Sequence, residues 1–290
     1  MAKRIKIDPS AAFAVVHGDC DNVLLQNVNP LGTPRLGIID PPYNIGVEYE
    51  AYDDDRPQSE YIKWLTHRVM RTVNGMTDDA SIWVLINAFN VSELDVSLKK
   101  EGLYPRAKVP WYFTFGQHHY RALTQAHATC LYYSVHKSRY VFNDQDPAIR
   151  IPSQRQLVYN DKRANPKGRL PDNVWILNPA QLEKGFDPLH DCWTFSRVCG
   201  TFNAKRTVNK NQLPIPMLER IIRLCSDPGD VVIDSFMGTG TTGKAALNTG
   251  RRFFGIDVSA SCVADAEEQL LSLHQSLQQP ALPAKARKAK

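Results

Sequence analysis

The sequence lacks the features that mark membrane and secreted proteins. It contains no run of about 18 apolar residues, so we expect no membrane-spanning helix. Residues 1–6 are basic, but no apolar stretch follows them, which argues against a secretory signal. With 43% hydrophobic and 22% charged residues over 290 positions, the composition is that of a globular protein with one large domain.

The six cysteines are too scattered to form a known metal or redox motif. No two of them have C-x-x-C spacing, so neither a zinc site nor a thioredoxin-type pair is indicated. We therefore expect no bound metal, and we expect reduced, mostly buried thiols such as those of cytoplasmic proteins.

The sequence does contain an uneven distribution of charge, because a basic segment lies in the middle of the chain. The formal net charge is +5, but residues 99–212 hold 18 Lys and Arg against 8 Asp and Glu. The remainder of the chain is therefore net acidic. Such clustering suggests a surface that meets a polyanion, although a solvated basic face would give the same count.

Apolar periodicity predicts alternating strands and helices on both sides of this basic middle. Short apolar strands are predicted at residues 14–17, 36–39, 81–86, 131–135, 231–234 and 252–257. Helical spacing occurs at residues 61–73, 216–225, 241–247 and 261–277. The pattern predicts an α/β fold, with a mostly parallel sheet and helices on both faces.

The periodic pattern dissolves in the middle of the chain. Residues 144–206 are rich in Arg, Lys, Asn, Pro and Gln and have few periodic apolar positions. A long irregular segment inside a compact domain is usually functional or disordered. We predict one α/β domain formed by residues 1–143 and 207–279, an inserted binding region at 144–206, and a disordered basic tail at 280–290.

A glycine-rich loop follows the predicted strand at residues 231–234. Its sequence over residues 235–243 is SFMGTGTTG, and glycine lets the backbone turn sharply and approach a ligand closely. The helix behind the loop offers unpaired N–H groups to an anion. Asp257 ends the next predicted strand, where a carboxylate can bind ribose hydroxyls. Together these features predict a site for a nucleotide-like cofactor.

Gly238, Gly240 and Gly243 also spell the G-x-G-x-x-G of nicotinamide-dependent dehydrogenases, which therefore stay an alternative. However, only about 30 residues follow Asp257, too few for the remaining strands of such a fold. The missing strands must come from the N-terminal half. We therefore predict a circularly permuted Rossmann-like sheet.

A second motif, Asp40-Pro41-Pro42-Tyr43, follows the predicted strand at residues 36–39. Open α/β sheets bind ligands at this carboxyl end of their parallel strands. The two prolines fix the backbone and remove two N–H donors, which holds the carbonyls of Asp40 and Pro41 in place. An ordinary proline turn would look the same.

The chemistry of this tetrapeptide suits an exocyclic amine of a nucleobase. Such an amine is a poor nucleophile, because its lone pair is delocalised into the ring. The Asp40 carboxylate and the Pro41 carbonyl can accept its two N–H hydrogens and so localise the lone pair. Tyr43 offers a π face to a base that has left the duplex. Positioning and preorganised electrostatics would then supply most of the rate.

With both motifs in this order, the chain resembles the amino-methylating DNA methyltransferases of the beta arrangement. In that family Asp-Pro-Pro-Tyr comes first, a target-recognition region sits in the middle, and a Phe-x-Gly-x-Gly cofactor motif comes last; here that motif is FMGTG at 236–240. The resemblance covers about residues 13–275. It implies S-adenosylmethionine as cofactor, double-stranded DNA as partner, a cytoplasmic, nucleoid-associated location, and catalytic roles for residues 40–43.

The resemblance also assigns cofactor contacts. Asp19, in Gly18-Asp19-Cys20, matches an acid that contacts the cofactor's adenine, and Phe236 matches an aromatic near the sulfonium. The complete implied set is Asp19, Cys20, Asp40, Asn211, Gln212, Leu213, Phe236, Gly238, Gly240, Thr241, Thr242 and Asp257. Residues 111–117 and 129–140 are expected either to lead into the base pocket or to pack in the core.

The resemblance favours adenine N6 as the methylated group. Cytosine-N4 enzymes of this kind more often carry Ser or Thr where this chain has Asp40. Cytosine-C5 methylation needs a cysteine nucleophile, usually after proline, and no cysteine here follows a proline. Cytosine N4, an RNA or protein substrate, and a DNA-binding protein without turnover stay open as alternatives. A homodimer and a cognate restriction endonuclease stay open as partners.

The basic middle supplies the predicted DNA contacts. Lys and Arg neutralise phosphates, whereas Gln and Asn read base edges in the grooves. The predicted phosphate contacts are Arg155, Arg163, Lys167, Arg169, Lys205 and Arg206. For each of them a solvated surface role is the alternative.

Overall fold

The computed structural model describes residues 10–26, 30–117, 121, 123, 125–151, 153–157, 159–173 and 212–279. None of the helices in these ranges has the length and hydropathy that a membrane span requires. The same ranges hold no group of His, Cys, Asp and Glu arranged to bind a metal. Most of the predicted insertion at 144–206 and all of the predicted tail at 280–290 lie outside the described residues, so the domain boundaries stay predictions.

A seven-stranded sheet organises the described residues. Its order is β1-β7-β6-β2-β3-β5-β4, and the first five strands are parallel. β5 and β4 run antiparallel at one edge. The strands are β1 Phe13–His17, β2 Leu36–Ile39, β3 Ser81–Asn87, β4 Tyr104–Gln117, β5 Gln125–Ser134, β6 Val231–Asp234 and β7 Arg252–Asp257. The predicted permutation is confirmed, because the late strands β6 and β7 lie between β1 and β2.

Helices cover both faces of the sheet, as predicted. α1, α2 and α3 pack on one face, and α5, α6 and α7 pack on the other. The helices are α1 Cys20–Leu25, α2 Gln58–Asn74, α3 Val91–Lys100, α4 Gln154–Leu157, α5 Ile215–Cys225, α6 Thr241–Asn248 and α7 Ala260–Gln278. Apolar residues recur at helical spacing on α2 and α5, and these are the side chains that the two faces bury.

The central strand β2 is buried on both faces. Ile38 belongs to the core beneath α5, whereas its neighbour Ile39 belongs to the core beneath α2. Successive side chains of a strand point to opposite faces, so a strand of this kind needs an uninterrupted apolar run. β2 therefore fixes the position of Asp40, the residue that follows it.

Four elements were not predicted, namely α1, α3, the four-residue α4 and β4. α1 and α3 are short, so their apolar spacing is repeated too few times to stand out. β4 contains Pro105 and Pro110, which are tolerated because this strand lies at the edge of the sheet. β5 also begins at Gln125, earlier than the predicted residue 131, because its first residues pair with β4.

Candidate active site

A row of acidic residues lies along the carboxyl edge of the parallel strands. Asp257 and Asp234 are the last residues of β7 and β6, and Asp40 directly follows β2. Asp19 lies two residues beyond β1. These four strands are neighbours in the sheet, so the topology brings together carboxylates that are far apart in the sequence.

A cavity of about 890 Å³ opens at this edge. Small-molecule sites commonly measure roughly 300–1,000 Å³, so this cavity has room for a nucleotide-like cofactor and a planar base. Among the predicted site residues, it is lined by Asp19, Cys20, Asp40, Pro41, Pro42, Tyr43, Gln212, Leu213, Phe236, Gly238, Thr241, Thr242 and Asp257. Gly240 lies outside this lining, and Asn211 is not among the described residues.

The tetrapeptide at 40–43 is held by one hydrogen bond within itself and by donors from two elements. The Tyr43 hydroxyl donates to Asp40 Oδ1 at 2.7 Å. Tyr61, on α2, donates to the Pro42 carbonyl at 2.7 Å, and the side chain of Asn87, at the end of β3, donates to the Tyr43 carbonyl at 2.9 Å. None of the described residues donates to the Pro41 carbonyl or to Asp40 Oδ2. Within the described part of the chain these two acceptors thus have no donor, and both belong to residues that line the cavity.

The environment of Asp40 favours its neutral form more than water does. Burial raises the pKa of this carboxyl group to about 6, and the hydrogen bond from Tyr43 opposes the shift. Burial also raises the pKa of Tyr43 well above its usual value, helped by the neighbouring carboxylate. The phenol thus stays protonated and continues to donate to Asp40.

The glycine loop is closed by the carboxylate of Asp257. Its Oδ2 accepts from the Gly238 N–H at 2.8 Å and its Oδ1 accepts from the Ser259 N–H at 2.9 Å. Each carboxylate oxygen has a further lone pair, so Asp257 can still accept from a ligand. Burial raises the pKa of Asp257, and these backbone donors oppose the shift.

Two glycines of the loop are required by the structure itself, Gly240 by a turn of the backbone and Gly243 by close packing between a helix and a strand. Gly240 has φ +80°, and its N–H closes a turn on the Met237 carbonyl at 3.0 Å. A Cβ at Gly243 would lie 2.6 Å from the Phe253 ring. This third glycine therefore allows α6 to approach β7 closely.

Asp234 lies beneath the loop and holds it from below. It accepts from the Phe236 N–H at 3.0 Å and from the Thr242 hydroxyl at 2.6 Å. Burial raises the pKa of Asp234 to about 7. The hydroxyl of Thr242 is therefore already engaged, although Thr242 lies in the cavity wall. Gln212 is tied to the same loop through a bond to the Thr239 hydroxyl at 3.0 Å.

Asp19 shares its carboxylate between a helix cap and an arginine. Oδ1 accepts from the Asp21 N–H at 2.9 Å and so caps α1, while Oδ2 pairs with Arg68 at 2.8 Å. The adjacent Cys20 thiol is buried, and this burial raises its pKa to about 12. Cys20 is therefore a neutral part of the wall.

An aromatic cluster lines one side of the cavity. Trp64 stands edge-on to Phe236 with ring centres 5.7 Å apart, and Tyr52 packs against Trp64 at 4.9 Å. Arg68 lies over the Trp64 ring at 4.5 Å. The Tyr52 hydroxyl is buried and has no hydrogen-bond partner among the described residues.

Residues 44–56, which we call the strap, cross the cavity mouth. At its base, the buried Asp54 carboxylate accepts from the backbone N–H groups of Asn44, Ile45 and Val47 at 2.7, 3.1 and 3.1 Å. At its tip, Glu50 accepts from the Ser259 and Ser261 hydroxyls at 2.5 and 2.7 Å. The strap thus connects the end of β2 to the start of α7.

The predicted DNA contacts are brought together only in part. Arg155 and Lys167 are exposed, whereas Arg163 pairs with Asp161 and Arg169 pairs with Asp172. The backbone of Arg169 also pairs with that of Ile151, which is part of the core. Lys205 and Arg206 lie outside the described residues.

Two stretches, residues 111–117 and 129–140, were predicted to lead into the base pocket or to pack in the core. Within the described residues, only the first contributes a side chain to the cavity lining. Trp111 lines the cavity and is only 3% exposed. Within the described part of the chain, no residue of 129–140 lines it; Gln125, His127 and Ala128 do so instead. These three precede the apolar part of β5.

A family model described as DNA methylase, of the N6/N4 methyltransferase type, matches residues 35–268. The chain belongs to this family. The match spans the tetrapeptide, the strap and the glycine loop. It therefore excludes the alternative interpretation of the glycine loop as that of a nicotinamide-dependent dehydrogenase.

The relatives of this DNA methylase are bacterial DNA methyltransferases. The type II methyltransferase M.BglII of Bacillus subtilis is 28% identical over 89% of this chain and 68% of its own length. The DNA adenine methyltransferase YhdJ of Escherichia coli K12 is 24% identical over 87% of this chain and 80% of its own length.

Solved structures share the fold of this DNA methylase. M1.HpyAVI, determined as a complex with SAM, superposes with a TM-score of 0.56 at 18% identity, covering 89% of this chain and all of that one. The cytosine-N4-specific PvuII DNA methyltransferase superposes with a TM-score of 0.60 at 14% identity, covering 92% and 93%.

Sequence reasoning missed the residues that position the motifs. Tyr61, Asn87 and Asp54 hold the tetrapeptide or the chain that follows it, and Trp64 supports Phe236. Asn87 had a usable signal, because it is a polar residue at the carboxyl end of an apolar strand. Asp54 had no such signal, because it is the middle of three consecutive aspartates and the sequence does not show which of them is buried.

Proposed function

We propose that this DNA methyltransferase transfers a methyl group from S-adenosylmethionine to the N6 amine of adenine within one short sequence of duplex DNA. The observation that carries the proposal is a pair of acceptors, Asp40 Oδ2 and the Pro41 carbonyl, that have no donor among the described residues and belong to residues lining the same cavity as the glycine loop. An amine placed there would find a partner for each of its two hydrogens.

The residues of the cavity fit S-adenosylmethionine. This cofactor supplies an electrophilic methyl group on a positively charged sulfur. The row of carboxylates complements its positive charges, and Asp257 keeps lone pairs for ribose hydroxyls. Phe236 offers a ring face or edge near a cation. The buried Tyr52 hydroxyl, which has no partner among the described residues, is a polar atom that a ligand would satisfy.

The chain's own residues would act by positioning and by holding protons. Tyr43 donates to Asp40 Oδ1, which fixes the carboxylate and leaves Oδ2 for the incoming amine. A phenol hydroxyl donates near the plane of its ring, so this bond would leave the Tyr43 ring face for stacking with a base that has left the duplex. The amine would lose its extra proton only after it has gained the methyl group, and Asp40, which accepts from that amine, is the carboxylate that we expect to receive the proton.

Asp40 is also the reason for choosing adenine over cytosine. The family resemblance associates Asp at this position with adenine N6, and the relative YhdJ is named as an adenine methyltransferase. The shared fold does not decide the base, because the PvuII enzyme is cytosine-N4-specific. The choice of adenine thus depends on Asp40.

The test is to incubate the protein with labelled S-adenosylmethionine and unmethylated duplex DNA and to identify the modified nucleoside by mass spectrometry. We expect N6-methyladenine, and we expect its loss in Asp40→Ala. Asp78→Ala is the matched control, because the Asp78 side chain is 73% exposed and its one ion pair within the described ranges is with Arg139 on the surface. N4-methylcytosine would refute the choice of base, and label in RNA or protein alone would refute the DNA substrate.

A further inference from the structure

Phe89 is an exposed aromatic residue at the mouth of the active-site cavity. It lies in the turn after β3, lines the cavity, and has 63% of its surface exposed. Single exposed apolar side chains are common on proteins, so exposure alone carries no meaning. The position of Phe89 beside the catalytic tetrapeptide is what calls for an explanation.

The turn that carries Phe89 is attached to the tetrapeptide. The side-chain amides of Asn87 and Asn90 both donate to the Tyr43 carbonyl, at 2.9 and 3.3 Å. The Asn90 N–H donates back to Asn87 Oδ1 at 3.0 Å and closes the turn. Phe89 is therefore held at a fixed place relative to Tyr43, as a side chain that contacts the same substrate would be.

The residues around the cavity mouth differ in charge, because the strap is acidic and the residues near Phe89 are not. The strap presents four exposed carboxylates, Glu48, Glu50, Asp53 and Asp55. Its one basic residue, Arg56, has its guanidinium over the Tyr52 and Trp64 rings. A second group of cavity-lining residues, which we call the Phe89 rim, consists of Asn87, Phe89, Gln125 and His127, and none of these four is acidic.

A polyanion would avoid the strap and approach over the Phe89 rim. Phosphate groups repel carboxylates at short range, and DNA carries one charge for about every 1.7 Å of its axis. The Phe89 rim also offers groups that suit DNA, namely amide groups, an imidazole and an aromatic ring. We therefore expect the target base to enter the cavity past the Phe89 rim and not past the acidic strap.

We propose that Phe89 is an aromatic wedge that packs against the base pairs beside the target nucleotide while that nucleotide occupies the cavity. This inference rests on the proposed DNA methyltransferase function. Extruding a base breaks its stacking, and proteins that open the base stack frequently insert an apolar side chain to replace the lost contact. Phe89 is mounted at the mouth, whereas Tyr43 lies in the cavity with Asp40. The two rings would therefore meet different parts of the DNA.

The test compares two duplexes that contain the sequence methylated by the wild-type enzyme. In one the target base is paired, and in the other it lies opposite an abasic site, where it leaves the stack more easily. On the paired duplex we expect Phe89→Ala to lower kcat/KM on the order of 10- to 100-fold, the range expected from one base–aromatic stack. On the abasic duplex we expect at most a few-fold loss, and Phe89→Trp should retain activity on both.

Phe142→Ala is the matched control, because Phe142 is an exposed phenyl group outside this cavity. Cofactor binding and the thermal midpoint should match wild type in Phe89→Ala. Equal losses on the two duplexes, or no loss on either, would overturn the wedge while leaving the methyltransferase proposal intact. A wild-type enzyme that labels no DNA would overturn both.

Discussion

We expect methyl transfer to require the ionised form of Asp40, because a carboxylate accepts more strongly from an amine than a neutral acid does, and the acid's proton turns one oxygen into a donor. Burial raises the pKa of Asp40 to about 6, so the required form predominates only above that pH. Tyr43 stays protonated over the same range, because its pKa is raised. The residue that gives the site its chemistry therefore also sets its lower pH limit.

We expect the single-turnover rate of methyl transfer to fall about tenfold per pH unit below pH 6. The reason is protonation of Asp40, which converts Oδ2 from an acceptor into a possible donor. In Asp40→Asn the residual rate should be low and should lack this pH dependence. The rate is measured by quench-flow with excess enzyme.

Asp234 is the neighbouring group that needs a control, since its pKa is raised to about 7. It contacts the Phe236 N–H and Thr242, not the tetrapeptide. In Asp234→Asn the decline below pH 6 should persist. If the decline disappears in this variant and persists in Asp40→Asn, the assignment to Asp40 is wrong.

At the scale of elements, the strap is a thirteen-residue part of the site that has no regular secondary structure. One carboxylate organises it, because Asp54 accepts from three backbone N–H groups within four residues of Tyr43. Asn44 also exchanges two hydrogen bonds of 2.8 Å with the backbone of Arg56, which closes the strap at its base. The geometry of Tyr43 thus depends on a residue eleven positions later in the chain.

We expect Asp54→Ala to lower kcat on the order of 10- to 100-fold, because a displacement of about 1 Å at a catalytic group can cost that much. The single-turnover rate and the thermal midpoint are measured on the same preparation. Asp53→Ala, with an exposed side chain next to it, is the matched control.

Asp54→Asn should lie between Asp54→Ala and wild type, since an amide keeps one of the two acceptor oxygens. A rate in Asp54→Ala equal to that of Asp53→Ala would show that the strap does not position Tyr43. A loss of rate in proportion to a collapse of the thermal midpoint would indicate a folding defect instead.

Most elements of the sheet could be predicted, and the reason is physical. Buried parallel strands such as β2, β3 and β6 have apolar residues on both faces, which leaves a continuous signal in the sequence. β4 gives no such signal, because an edge strand can contain prolines and charged residues. The strap gives none either, because its order depends on side-chain-to-backbone bonds that no periodicity records.

The candidate site could be predicted at the motifs but not in its supports. Asp40, Asp257 and the glycine loop stand at strand ends, where sheets of this class bind ligands. The sequence predicted a cofactor contact for Gly240, which the structure places in a turn outside the cavity lining. It also could not show that the Thr242 hydroxyl is engaged by Asp234, since that contact depends on packing at the sheet edge.

For the whole molecule, the uneven charge is the property that bears on DNA. The basic excess lies in the middle of the chain, and the strap and the strand ends are acidic. Arg155 and Lys167 are the predicted contacts that are exposed and have no ion-pair partner among the described residues. Among the described members of the set, they are therefore the best placed to neutralise phosphates.

We expect the double variant Arg155→Ala/Lys167→Ala to bind duplex DNA more weakly and to reduce the salt dependence of binding. Each lost phosphate contact should lower the slope of log K against log salt by about 0.9. Fluorescence anisotropy between low and physiological salt measures this slope.

The control is Lys100→Ala, an exposed lysine at the end of α3, which runs back from the active-site edge of the sheet. An unchanged slope in the double variant, with weaker binding or without it, would remove these two residues from the DNA interface.

The position of β7 in the sheet has a consequence for how the protein folds during its synthesis. β7 pairs with β1 on one side and with β6 on the other, so Phe13 lies beside Phe253 although almost the whole chain separates them. While the chain is emerging from the ribosome, β1 has no neighbour and the glycine loop does not exist. Pairings between distant parts of a chain are slow to form, because the entropy of a long loop is lost before the contacts are gained. A nascent chain of this protein can therefore build β2 and β3 early, but it stays enzymatically silent until its last strand has been synthesised and inserted.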